Sequence, residues 1–116
     1  MEDILKRLGA RIREERRKTK LTQEELAKRV DLSVDFIGYI ERGKQAPYIK
    51  TLERIAKALS VETYELFIFE KNKKAKDNEA AIRKLILSLD NKKPEYMKFM
   101  SSIMKQVFER MEMKKV

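Results

Sequence analysis

Apolar residues recur along this chain at intervals of three and four and nowhere in strict alternation, so the pattern predicts helices and no strands. Ile4, Leu8 and Ile12, with Leu5 beside them, mark a first helix over 3–19, capped by Asp3 and weakened in its middle by Gly9. Thr22 and Glu25 have the S/T-x-x-E spacing of a capping box and open a second helix, with Leu26, Ala27 and Val30 as its inner face. Asp31 and Leu32 make a turn, Ser33 caps a third helix, and Gly43 ends it, as glycine just past a helix end often does. Pro47 precedes a fourth helix over about 48–59 that turns Leu52, Ile55, Ala56 and Leu59 inward. A fifth, short helix over about 63–69 has Leu66 and Phe67 as its apolar pair.

The pattern breaks at KNKKAK, 71–76, a basic stretch that reads as a solvated linker, with a phosphate contact as the other reading. Beyond it, Ile82, Leu85, Ile86 and Leu89 predict a helix over 78–89. Pro94 suits the first turn of a last helix running to about Glu112. The chain therefore reads as all-α, with a five-helix unit over 1–70, a linker over 71–77 and a helical pair over 78–113. No internal repeat is visible.

Composition narrows the chemistry. The 116 residues are 42% apolar and 41% charged, with Gly 3 and Pro 2, which agrees with an all-helical protein of one domain and a short appendage. There is no cysteine to form a disulfide, so a cytoplasmic location is expected. Without cysteine or histidine, a zinc site and imidazole catalysis drop out, and neither a phosphate-cradling glycine loop nor a converging acidic pair is present, so no enzyme and no cofactor is expected. No apolar run has the length of a membrane span. The net charge of +9 points to a polyanionic partner, with a lysine-rich solubilising surface as the plain alternative. The excess is uneven: residues 1–20 carry eight Lys/Arg against four Asp/Glu, and residues 51–70 carry two against four.

The third helix has about nine residues, too few to stand alone. On a helical wheel, Ile37, Ile40 and Glu41 form its inner face. Asp35, Gly38, Tyr39 and Arg42 cluster within about 100° on the other side, flanked by Val34 and Phe36. A mixed aromatic, acidic and basic face suits base edges, where apolar groups meet thymine methyls and polar groups meet donors and acceptors.

With those residues in view, residues 4–69 resemble the Cro/C1-type (XRE) family of phage repressors and their helix-turn-helix relatives. The resemblance rests on Arg16, Leu21, Thr22, Gln23, Glu25, Leu26, Ala27, Val30, Ser33, Ile37, Glu41, Gly43 and Pro47, and then on Leu52, Ile55, Ala56, Ala58, Leu59, Val61 and Leu66. It implies a phage-repressor-like fold that binds double-stranded DNA, with residues 33–42 as a recognition helix in the major groove. Carried over to this chain, it makes Gln23 a phosphate ligand or a brace for the start of the third helix. Val34, Asp35 and Tyr39 face bases, with a first-turn acid favouring the helix dipole as the other reading of Asp35; Arg42 and Lys44 grip phosphates, and Ser33 and Phe36 complete the DNA-facing set. Phe36 meets sugar or a thymine methyl, or tucks into the core. Arg16 and Glu41 match a partly buried ion pair with a structural role. Two departures stand out: Asp31 occupies a turn position commonly held by glycine, and the base-facing positions lack the Gln or Asn pairs of some relatives.

The last helix is too apolar for one stripe on a lone surface helix. Tyr96, Met100, Ile103, Met104, Val107, Phe108 and Met111 are read as a homodimerisation surface, with folding back onto residues 4–69 as the other reading. Three functions stay open: a dimeric transcriptional repressor, the antitoxin of a toxin–antitoxin pair whose C-terminal helices bind the toxin, and an interaction adaptor that has lost DNA binding. Any effector is unknown from sequence.

Overall fold

A computed structural model describes residues 2–69, 75–89 and 94–114 of the chain. Helices α1 (Glu2–Lys18), α2 (Gln23–Val30), α3 (Val34–Glu41) and α4 (Ile49–Ala58) are followed by a short 3-10 helix (Thr63–Phe67), then α5 (Ala75–Ser88) and α6 (Pro94–Lys114). Among the described residues there is no strand.

The helix boundaries follow from local chemistry. Thr22 Oγ1 accepts from the Glu25 N–H at 3.1 Å, and Glu25 Oε1 accepts from the Thr22 N–H at 3.0 Å, so the expected capping box forms. Ser33 Oγ accepts from the Phe36 N–H at 3.1 Å and opens α3. Asp31 takes the left-handed conformation at φ 56°, which lets the Leu32 N–H return to the Ala27 carbonyl and closes α2 without a glycine. Gly43 does the same after α3 at φ 73°, with the Lys44 N–H bonded to the Tyr39 carbonyl at 2.9 Å. A side chain there is excluded twice over, because a Cβ would also lie 2.7 Å from Lys6 Cα.

Gly9, expected as a weak point in α1, has a packing role. A Cβ at that position would sit 2.4 Å from the Ile40 carbonyl oxygen and 2.5 Å from that of Glu41. The bare backbone of α1 is what lets the end of α3 lie directly against it.

Helix α5 begins at Ala75, three residues before the expected 78, so the last part of the proposed linker is helical and residues 71–74 lie outside the described residues. The larger difference concerns α6. It packs on the 3-10 helix that carries the buried Leu66 and Phe67, while α5 packs on α1. Met100, Ile103, Val107 and Met111, expected to meet a second copy, are 2%, 1%, 0% and 6% exposed inside this chain's own core. The cause is that α6 has more than one apolar edge, and its deepest edge shares a continuous core with Leu8, Ile12, Leu52 and Phe67. Burying each such side chain contributes roughly 1.5–3 kcal/mol, and the nearest apolar surface is intramolecular. Tyr96, Met104 and Phe108 are half-buried, and Met97 and Leu87 remain exposed. The helical pair is a second layer of the same molecule, not an arm from which the first five helices hang.

Candidate nucleic-acid interface

Helix α3 turns Ile37, Ile40 and Glu41 into the core and leaves Val34, Asp35 and Tyr39 exposed. Ser33 is exposed at its start and Lys44 just past its end, while Phe36 is half-buried against the core. The expected outer face is therefore assembled, with one change. Gly38 lies on that face yet is buried, because the Arg42 side chain lies over it. The Arg42 guanidinium carbon also stands 5.3 Å from the centre of the Tyr39 ring.

What holds α3 in place is a carboxylate. The Glu41 side chain is wholly buried and accepts from Arg16 Nε at 2.7 Å and Arg16 Nη2 at 3.1 Å. Arg16 Nη1 in turn donates to the Leu21 carbonyl at 2.9 Å, which fixes the connection between α1 and α2. Burial alone would raise the Glu41 pKa. The bonds from Arg16 and Gln23, the Arg16 charge and the Arg13 bond outweigh it, so the carboxyl sits below the usual carboxylate range. The pairing of Arg16 with Glu41 that the resemblance implies is present.

For Gln23, the expected brace falls at the other end of α3. Its amide donates to Glu41 Oε1 at 3.0 Å, so it braces the end of α3 and not its start. A buried carboxylate is a stronger acceptor than any neutral group near the start of α3, and its remaining lone pairs need donors. Arg13 Nε reaches the same oxygen at 3.4 Å, and was not singled out from sequence.

Arg13 and Gln23 then line a cleft of about 670 Å³ with Arg16, Arg17, Thr22, Glu24 and Val34. Three arginines thus line the cleft beside the first residue of α3. Arg13 and Arg17 are four residues apart on α1, so one face of that helix presents both. The charge excess of residues 1–20 signalled a cationic first helix, but only the packing of α1 beside α2 and α3 places these two arginines in the cleft.

Two short helices at a tight turn, the second with a mixed, exposed face and cations on its flank, define a helix-turn-helix module. A family model described as Helix-turn-helix matches residues 12–66. An uncharacterized HTH-type transcriptional regulator of Archaeoglobus fulgidus is 40% identical over 63 residues, which is 54% of this chain and 89% of that protein. The immunity repressor protein of Bacillus phage phi105 is 40% identical over 55 residues, 47% of this chain and 38% of the repressor. The crystal structure of the restriction-modification controller protein C.AhdI from Aeromonas hydrophila matches with a TM-score of 0.53 at 35% identity, over 57% of this chain and 98% of the controller. The chain belongs to the helix-turn-helix family of Cro/C1 type, a family of transcriptional regulators. Among the described residues, no helix is long and apolar enough to cross a membrane.

Proposed function

We propose that the chain is a sequence-specific DNA-binding repressor, acting as a homodimer, with α3 in the major groove and α2 across the backbone. The observation that carries this reading is the exposed face of α3, locked from behind by buried Glu41 and flanked by the arginine-lined cleft. Tyr39 and Val34 meet base edges and thymine methyls, and Asp35 accepts from cytosine N4. Arg13 and Arg17 join Lys44 as phosphate ligands, while Gln23 keeps its bond to Glu41 and offers its remaining N–H to the backbone.

Dimerisation belongs to the same reading, because one module reads only a few base pairs and a two-fold copy doubles the contacts. Among the described residues of α5 and α6, Leu87 and Met97 are the exposed large apolar side chains offered to that copy, with half-buried Met104 and Phe108 beside Met97 on α6. Mixing purified protein with DNA from upstream of its own coding sequence tests the proposal. A discrete complex of two chains per site, outcompeted by the same sequence and not by unrelated DNA, is expected. Binding that ignores sequence, or its absence, would contradict it.

A further inference from the structure

We infer that Arg42 reads a base and not a phosphate: stacked on Tyr39 over the middle of α3, its guanidinium is placed to meet guanine in the major groove. The inference rests on the DNA-binding reading above. Arg42 stands at the C-terminal end of α3, a position from which a phosphate grip is the simple expectation. Its side chain does not run outward from that end. A Cβ on Gly38, one turn back, would lie 3.0 Å from Arg42 Nη1 and 3.8 Å from its guanidinium carbon. Helical side chains lean toward the N-terminus, and here nothing at position 38 blocks the path.

Two contacts therefore set the position of the guanidinium, the Gly38 backbone beneath it and the Tyr39 ring 5.3 Å from its centre. Both belong to the middle of an eight-residue helix. When such a helix enters the major groove, the N-terminal part of its exposed face meets base edges, and the path over Gly38 and the Tyr39 ring draws the guanidinium back toward that part. Among the described residues, no ion pair engages Arg42, so its fork of donors is unspent. That planar fork matches O6 and N7 of guanine, and a ring that pre-orders it reduces the ordering cost at binding. Gly38 then acts as a specificity residue by absence, since any side chain there would compete for the space Arg42 fills.

The test is selection of bound sequences from random DNA by the full chain and by Arg42→Ala and Arg42→Lys. The unmodified chain should select guanine at one position in each half-site. Arg42→Ala should lose that preference, keep the others, and weaken the selected site by about five- to a hundredfold, with a much smaller change on random DNA. Arg42→Lys keeps the charge without the planar fork, so it should lose the same preference while binding random DNA as the unmodified chain does. Equal weakening of selected and random DNA by Arg42→Ala, or an unchanged preference in Arg42→Lys, would overturn the assignment and return Arg42 to the phosphates. An unmodified chain that binds no DNA would instead sink the DNA-binding reading and this inference with it.

Discussion

Single residues decide how rigidly the reading face is held. Glu41 is buried, and Arg16 beside it is 9% exposed, so Glu41→Ala would leave a buried cation without its partner. A loss of about 3–5 kcal/mol is expected by chemical denaturation, as for other broken buried pairs. Because the folded Glu41 pKa is depressed, the stabilisation it carries is present above the unfolded carboxyl's range and is lost as pH falls through the folded value. Thermal melts of the unmodified protein should therefore drop toward acid pH, and those of Glu41→Gln should drop less. Lys20 and Ser60 hold left-handed turns at φ 61° and 60° after α1 and α4. Glycine at either site should raise stability by up to about 1 kcal/mol, since the strain of an L side chain there is partly offset by glycine's extra freedom when unfolded. A lower melting temperature for both variants would contradict that assignment. At this scale the caps were legible, because Thr22, Ser33 and Glu25 act on their own backbone neighbourhood. Gln23 was not, because its partner lies eighteen positions away and is chosen by tertiary packing.

At the scale of elements, periodicity located each described helix, since each buries at least one apolar stripe against its neighbours. It did not show how closely two helices approach. Gly9 looked like a flaw in α1 and is the point where α1 meets the end of α3. Gly9→Ala would gain helix propensity of about 1 kcal/mol in an isolated helix, but here it should destabilise the fold, because backbone oxygens at 2.4 and 2.5 Å cannot give way like a flexible side chain. The displaced α3 should also bind DNA more weakly. A melting temperature at or above that of the unmodified protein would show that α1 and α3 are not in this contact. Helix α5 starts ahead of its apolar stripe because Ala75 and Lys76, at the end of the basic run, are themselves helix formers.

At the scale of the whole molecule, apolar patterning leaves open which surface a helix covers. The apolar richness of 94–111 was visible, but a stripe of Met and Ile does not say whose surface it will cover. The core that runs from Ile4 to Met111 makes α5 and α6 part of the folding unit. A chain cut after Lys76 should accordingly be less stable than the full chain and prone to association, because the apolar surface under α6 is left wet. A fragment that melts at the full chain's temperature would show the layers to be independent. The charge was legible as an excess on the first helix and not as a cleft, since the arginine cleft forms only when α1 and α2 both pack on α3.

The central claim is that this surface grips the phosphates of duplex DNA while α3 reads the groove, and its most direct test is the salt dependence of binding. With roughly five to ten phosphate contacts per dimer, the logarithm of the association constant should fall linearly with the logarithm of salt concentration, with a slope of about −4 to −9. A flat response, or no binding even at low salt, would contradict it.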